Sequence, residues 1–231
     1  MARLPRLAMA GQAHLVALQG HSGQAVFMDD DDRAQFLAAL RESALQQAVA
    51  VHAYCLREES VLLLATPARD GALGALMQGL GRRYGAAFNR RHGRSGSLWA
   101  GRYRTAVVQA GVCLQDALLW VDALALGEGG AVDIPPARWS SAALHLGQSR
   151  DSLVTECAAW WALGNTPFER EAAYRRLLQD GLPPDRRAAL DAALRKGWAL
   201  GDAAYLAKLA QRFDRPAHPR PRGRPPKSAA A

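Results

Sequence analysis

The chain has 231 residues, of which 49% are hydrophobic and 22% are charged. This apolar content is sufficient for a folded core and excludes a wholly disordered chain. No segment approaches the ~20 consecutive apolar residues of a membrane-spanning helix. The three cysteines, Cys55, Cys113 and Cys157, lie far apart and form no C-x-x-C motif, so we expect free thiols and a cytoplasmic location.

Positive charge is concentrated in two segments. The formal net charge is +8, and residues 81–110 contain seven arginines and no acidic residue. Residues 214–231 are also strongly basic, so the rest of the chain is mildly acidic. A surface that serves only solubility intersperses both signs. Focused patches of arginine on a neutral body are typical of proteins that bind nucleic acid.

The first 130 residues predict alternating strands and helices. In chain order the patterns indicate a strand over 12–20, a helix over 33–47, strands over 49–56 and 61–66, a helix over 71–92, a strand over 102–108 and a helix over 113–126. The four aspartates 29–32 precede the first helix and favour its N-terminus through the helix dipole. This order predicts a ferredoxin-like α+β fold, an antiparallel sheet with helices on one face.

After residue 130 the strand patterns stop. Helical patterns follow over 153–162, 167–179, 184–196 and 202–213. The last segment is rich in proline and arginine, has no apolar face and predicts disorder. We therefore expect three regions, namely a ferredoxin-fold domain over 1–130, a helical region over 131–213 and a basic tail over 214–231.

The tail contains the motif Arg222-Gly223-Arg224-Pro225, which is the core of an AT-hook. Glycine lets the backbone lie deep in a narrow minor groove, where the two arginines meet the concentrated negative potential of A·T tracts. The motif predicts binding to A·T-rich duplex DNA without recognition of a sequence.

Several segments resemble the REP-associated tyrosine transposases, a bacterial family within the single-tyrosine HUH transposase superfamily. The resemblance extends over roughly residues 1–213 and is carried by Gly11-Gln-Ala-His-Leu-Val16, Val51-His-Ala-Tyr-Cys-Leu56, Phe88-Asn-Arg-Arg-His-Gly-Arg94 and Gly96-Ser-Leu-Trp-Ala-Gly-Arg-Tyr-Arg104. It implies a ferredoxin-like sheet and metal-dependent cleavage and rejoining of single-stranded DNA. In that chemistry a His-x-His pair holds Mg²⁺ or Mn²⁺, and a helix-borne tyrosine attacks the scissile phosphate.

This sequence departs from the family at each catalytic position. The two histidines of the family pattern Pro-Asn-His-x-His-Leu align on Ser60 and Leu62, and the nucleophilic tyrosine aligns on Trp120. Leucine cannot ligate a metal and tryptophan lacks the hydroxyl, so we expect no metal, no cofactor and no strand cleavage. The neighbouring Glu58 and Glu59 are acidic, but two glutamates in a turn are ordinarily solvated.

The segments that resemble the family keep their basic and aromatic residues. Such a mixture suits phosphate contacts and base stacking. The predicted nucleic-acid-binding residues are Arg82, Arg83, Arg90, Arg91, Arg94, Trp99, Arg102, Tyr103 and Arg104, together with Arg222, Gly223 and Arg224 in the tail. The leading hypothesis is a nucleoid-associated protein that binds hairpin or single-stranded DNA and does not cleave it. Two alternatives stay open: an active transposase with a displaced nucleophile such as Tyr103, and an interaction module that binds no DNA.

Overall fold

A computed structural model describes residues 6–126, 138–213 and 216–217. Its centre is a four-stranded antiparallel sheet in the order β2-β3-β1-β4. The strands are β1 (Ala13–Gln19), β2 (Val49–Arg57), β3 (Ser60–Pro67) and β4 (Arg104–Val108). The predicted α+β class with an antiparallel sheet is confirmed, and the sheet order is that of a ferredoxin-like fold.

Eight helices accompany this sheet within the described residues. They are α1 (Asp30–Gln47), α2 (Ala72–Arg91), α3 (Val112–Leu126), α4 (Ala142–His145), α5 (Ala158–Trp161), α6 (Pro167–Asp180), α7 (Pro184–Lys196) and α8 (Ala203–Arg212). Helix α1 begins three residues before its predicted start because Asp29 is the N-cap, and its carboxylate accepts the Asp32 N–H at 2.9 Å. None of these helices is long and apolar enough to cross a lipid bilayer.

The predicted helix over 153–162 is wrong for most of its length, since only the single turn α5 forms there. The residues before that turn run beside β2, where the Thr155 N–H donates to the Val51 carbonyl oxygen at 2.7 Å. Pairing with the open edge of the sheet takes these backbone groups away from a helix. The competing partner is distant in sequence, which is why a local periodicity does not reveal it.

Both faces of the sheet are covered. Helices α1 and α2 pack on one face with Val16, Val61 and Leu63. The expectation that the helices occupy a single face is not met, because α3 lies on the other. Helix α3 packs on the opposite face with Leu62 and Leu64, joined by residues of α5, α6 and α7. Successive side chains of a strand point to opposite faces, so the unbroken apolar run of β3 is the signature of a strand buried on both sides.

The C-terminal region also protects the edges of the sheet. Beside β2 the Leu56 N–H donates to the Trp139 carbonyl oxygen at 2.9 Å, and beside β4 the Leu200 N–H donates to the Val107 carbonyl oxygen at 2.8 Å. Exposed strand edges are templates for aggregation. The predicted regions 1–130 and 131–213 therefore share a core and a sheet in this structure.

A buried carboxylate joins α3 to the C-terminal region. Asp122 is fully buried and accepts hydrogen bonds from Ser141 Oγ at 2.5 Å, His145 Nδ1 at 2.7 Å and Tyr174 Oη at 2.7 Å. Desolvation of a carboxylate is tolerated only when donors replace its hydration. These three donors come from two segments of the chain, residues 141–145 and helix α6, so Asp122 fixes both segments relative to α3.

Candidate nucleic-acid interface

A groove of about 780 Å³ lies between α2 and the loop of residues 96–103, and we name it the basic groove. One stripe of α2 forms a wall, with Gly74, Gln78, Gly81 and Gly85 following one another at helical spacing. Small residues along this stripe leave the groove open to solvent. Leu18, near the end of β1, lies on the same side of the sheet as α1 and α2 and completes the floor.

Three arginines line the basic groove, namely Arg6, Arg82 and Arg102. Arg82 and Arg102 are exposed, and neither guanidinium has a carboxylate partner within the part of the chain that the structure describes. No aspartate or glutamate of the described residues lines the groove. Cations gathered without acids leave a positive potential, which suits an anionic ligand.

Arg6 was not among the predicted binding residues, and the structure brings it to the groove through Tyr103. Its guanidinium lies 3.9 Å from the centre of the Tyr103 ring and donates to the Tyr103 carbonyl oxygen from Nε at 3.1 Å and from Nη2 at 3.0 Å. The two residues are 97 positions apart in the chain. Only the basic character of the opening segment hinted at a role for Arg6.

Trp99 differs from its predicted role in base stacking. Its side chain is buried in the core beneath α2, and its indole Nε1 donates to the Gly81 carbonyl oxygen at 3.3 Å. Its ring makes an edge-to-face contact with Phe36 and a tilted contact with Tyr84, so much of its aromatic surface is used inside the protein. Trp99 and Tyr103 both line the groove, but Trp99 is only 8% exposed, whereas Tyr103 is half-buried and the more accessible of the two.

Arg91 is held by the acidic start of α1. Its guanidinium donates to Asp29 at 2.7 Å and 2.8 Å, to Asp32 at 2.5 Å and to Asp31 at 3.2 Å. His92 Nε2 lies 3.0 Å from both oxygens of Asp32, which is itself 1% exposed. Asp29, Asp31 and Asp32 therefore anchor the end of α2 at the start of α1, and the Arg91 guanidinium is engaged inside the protein.

Two further predicted arginines have partners inside the protein. Arg83 pairs with Glu42 of α1 at 2.6 Å. Arg94 donates to Gln24 Oε1 at 2.5 Å and lies 5.5 Å from the centre of the Phe88 ring. Long-range partners such as these are not visible in local sequence, where all seven arginines look equivalent. Arg90 is exposed but lies outside the basic groove.

The acidic cluster at α1 predicts a pH-dependent stability. Hydrogen bonds from Arg91 and from the Asp32 N–H lower the pKa of Asp29 from 3.8 to about 2. The carboxylate of Asp29 therefore stabilises the fold fully above its unfolded pKa, and this stabilisation is lost as the pH falls towards 2. Asp29→Asn, which keeps a good N-cap, will lower the urea midpoint at pH 7.

Urea unfolding at a series of pH values tests this prediction. The difference in urea midpoint between the wild-type chain and Asp29→Asn should shrink as the pH drops below 4. Asp180→Asn, at an exposed aspartate near the end of α6, provides the charge-matched control and should change the midpoint little. A constant difference from pH 7 to pH 2 would contradict the assignment.

The positions that align with the family's catalytic residues lie on the other face of the sheet. Leu62 and Trp120 pack in the same core between the sheet and α3, and are 7% and 6% exposed. Ser60 precedes Leu62 by two residues, so it points to the same face of β3. The three aligned positions therefore form a common surface in the fold, but that surface is packed against helices.

The residues present at this surface do not fit a divalent metal. Leu62 offers no ligand atom, and the Ser60 hydroxyl is a neutral, weak donor that is 9% exposed. Glu58 and Glu59 are exposed in the β2–β3 turn. Across residues 6–126, 138–213 and 216–217, no three His, Cys, Asp or Glu side chains form a cluster that could hold a metal ion.

Tyr103 is also distinct among the five tyrosines. The hydroxyls of Tyr54, Tyr84, Tyr174 and Tyr205 each have a hydrogen-bond partner. The Tyr103 hydroxyl has none among the described residues, and it lies beside Gly74 at the groove. Burial raises the pKa of Tyr103 and favours the neutral phenol.

Fold and groove together define an α+β protein with a cationic cleft that is lined by no acidic residue among those the structure describes. A REP-associated tyrosine transposase bound to a REP hairpin is similar at a TM-score of 0.49 and 9% identity, over 68% of this chain and 99% of that one. A Deinococcus radiodurans r1 protein assigned to the transposases is similar at a TM-score of 0.35 and 23% identity, over 48% and 88%. No protein-family model and no curated protein match the chain. At these values the likeness concerns the fold alone.

Proposed function

We propose that this chain is a transposase-like protein that binds hairpin or single-stranded DNA and does not cleave it. The observation that carries the proposal is the basic groove, in which Arg6, Arg82 and Arg102 surround Tyr103 and no described residue of the lining is acidic. Guanidinium groups bind phosphate through paired hydrogen bonds, and a partly exposed aromatic ring offers a stacking surface for a base. The sequence resemblance to a family that acts on single-stranded DNA favours that class of ligand.

The chemistry and the burial of the aligned positions support the proposed absence of cleavage. The aligned positions carry Ser60, Leu62 and Trp120, which supply neither a metal site nor a nucleophilic hydroxyl of tyrosine. All three are largely shielded from solvent, so a phosphate would have to displace packed side chains to reach them. We accordingly include no metal or other cofactor in the proposed function.

A nicking assay tests the absence of cleavage. Hairpin single-stranded DNA is incubated with the protein and Mg²⁺ or Mn²⁺, and products are separated under denaturing conditions. We expect neither a shortened strand nor a covalent protein–DNA adduct. Tyr103 is the candidate for a displaced nucleophile because its hydroxyl lies at the groove. An adduct that Tyr103→Phe abolishes would establish the alternative, an active transposase.

The position of the groove is tested by introducing an acid into it. Ala86 is exposed on α2 and lines the groove, so Ala86→Glu adds a negative charge there without disturbing the core. At ~0.1 M salt we expect hairpin affinity to fall roughly tenfold, about the effect of one lost phosphate contact. Ala207→Glu, on an exposed position of α8, is the charge-matched control and should have little effect.

Fluorescence anisotropy with a labelled hairpin measures both variants. Equal weakening by Ala86→Glu and Ala207→Glu would mean that only net charge matters and would contradict the groove as the site. Absence of DNA binding by the wild-type chain even at low salt would favour the remaining alternative, an interaction module.

The basic tail adds a second contact to the proposal. Arg222, Gly223 and Arg224 lie outside the described residues, and their AT-hook role rests on the sequence motif. Removal of residues 218–231, which leaves the buried Ala217 of the predicted tail in place, should weaken binding to A·T-rich duplex DNA more than binding to a hairpin. Competition between the two ligands in one anisotropy experiment measures this difference. Binding to duplex DNA would also associate the protein with the nucleoid.

A further inference from the structure

A second pocket adjoins the basic groove and belongs partly to the C-terminal region. It has a volume of about 350 Å³ and lies between the start of β4 and the C-terminal end of α7. Arg6, Arg102 and Tyr103 line both cavities. The second pocket adds Arg104 from β4, with Arg195 and Lys196 from α7. We name it the junction pocket.

We infer that the junction pocket binds a phosphate group of the DNA strand, so that the C-terminal helical region takes part in DNA binding. The inference rests on the proposed function and adds a residue-level site to it. The junction pocket is distinct from the basic groove because it includes Arg195 and Lys196. These two residues lie in the C-terminal region, for which the sequence predicts only helices.

The charges around the junction pocket favour an anion. Five cationic side chains from three separate segments line it, and no acidic residue of the described chain does. Arg195 is partly neutralised by Asp191 at 2.9 Å, whereas Lys196 and Arg104 have no carboxylate partner in the described residues. Like charges held close together repel one another, and a bound phosphate removes this repulsion.

Basic residues in the last turn of a helix also have an ordinary explanation, since they interact favourably with the helix dipole. That effect is local to α7 and explains Lys196 and Arg195 alone. It does not explain why Arg6, Arg102 and Arg104, which come from other elements, line the same pocket. A shared ligand accounts for all five.

The pocket also continues the path of the groove. The groove lies on the sheet face that α1 and α2 cover, whereas Arg104 and Ala106 lie on the β4 face that packs towards α3 and α7. A strand held by Arg82 and Arg102 can therefore pass over the edge of β4 and meet Arg104 and Lys196. This path predicts that the phosphate is an internal phosphodiester.

Lys196→Gln tests the junction pocket against Arg187→Gln, which removes one exposed positive charge from the same helix outside the pocket. Anisotropy with the labelled hairpin is measured between about 50 and 200 mM salt. For Lys196→Gln we expect affinity to fall roughly fivefold to tenfold at ~0.1 M salt, and the logarithmic salt slope to decrease by about one. Arg187→Gln should change neither quantity, and both variants should keep the wild-type urea midpoint.

The outcomes separate the inference from the proposed function. If Lys196→Gln behaves like Arg187→Gln while Ala86→Glu still weakens binding, the junction pocket is not a phosphate site and the groove assignment stands. If the wild-type chain binds no hairpin at about 50 mM salt, both fail. Hairpins with and without a 5′-phosphate show which phosphate the junction pocket binds. Equal loss of affinity for both hairpins in Lys196→Gln supports an internal phosphodiester. A loss only for the phosphorylated hairpin supports a terminal phosphate and overturns the internal assignment.

Discussion

Replacement of Arg82 and Arg102 together by glutamine will weaken hairpin binding roughly a hundredfold at ~0.1 M salt, since each lost phosphate contact reduces affinity about tenfold under these conditions. The two arginines come from α2 and from the loop of residues 96–103, so they line the basic groove from two sides. Both are exposed, and their removal should leave the core intact.

The salt dependence gives a second, independent measure of the same variant. The slope of log affinity against log salt should decrease by about two in Arg82→Gln/Arg102→Gln, one unit for each phosphate contact. The matched control is Arg176→Gln/Arg187→Gln, which removes the same charge from exposed positions of α6 and α7. An unchanged slope in the groove variant, or the same loss in both double variants, would show that these arginines do not hold the DNA.

Removal of the Asp122 carboxylate will have the largest effect on stability. Asp122→Ala leaves Ser141, His145 and Tyr174 without their shared acceptor, inside a core that excludes water. We expect the free energy of unfolding to fall by about 3–5 kcal/mol, a large part of the stability of an ordinary domain. Urea unfolding followed by circular dichroism measures the change.

Two variants distinguish loss of this network from a simple loss of charge. Asp191→Ala removes a half-exposed aspartate that pairs with Arg195 on α7, and we expect a change of less than about 1 kcal/mol. Tyr174→Phe keeps the aromatic packing and removes one of the three hydrogen bonds, so we expect an intermediate loss of about 1–3 kcal/mol. Similar urea midpoints for Asp122→Ala and Asp191→Ala would contradict a central role for Asp122.

The Asp122 network also bears on the proposed function. It ties α3 to Tyr174 of α6 and to the segment of Ser141 and His145, and helix α7 packs in the same core. The junction pocket requires the end of α7 to stay beside the start of β4. The buried Asp122 carboxylate thus helps to hold α7, with Arg195 and Lys196, beside the rest of the core.

The sheet separates the basic groove from the positions that align with the family's catalytic residues. The basic groove lies on the face covered by α1 and α2, and the aligned catalytic positions Ser60, Leu62 and Trp120 lie on the face covered by α3 and α7. Ser60 and the start of β4 are nevertheless at the same end of the sheet, since Ser60 pairs with Gln19 and Arg104 pairs with Ala17. Leu62 and Trp120 stand where the family pattern has a histidine and a tyrosine, and both pack into the core that α3 forms on this second face.

Local sequence was sufficient for the elements of the α+β fold and for the region of positive charge. Periodicity identifies α2 and the β2–β3 hairpin within one or two residues of their observed bounds, because each depends on neighbours close in the chain. The seven arginines of residues 81–110 are equally visible, since charge is a property of composition. The alignment of Ser60, Leu62 and Trp120 with catalytic positions likewise needs no coordinates.

Partners distant in the chain were accessible only from the folded structure. Arg91 and Arg82 belong to the same helix, yet Arg91 meets the aspartates of α1, some sixty residues away, and Arg82 faces an open groove. Trp99 enters the core, while Arg6 and Lys196, from opposite ends of the described chain, line one pocket. Packing decides which charges are neutralised and which stay available, because Coulomb and hydrogen-bond energies depend on distance in space and not on separation along the chain.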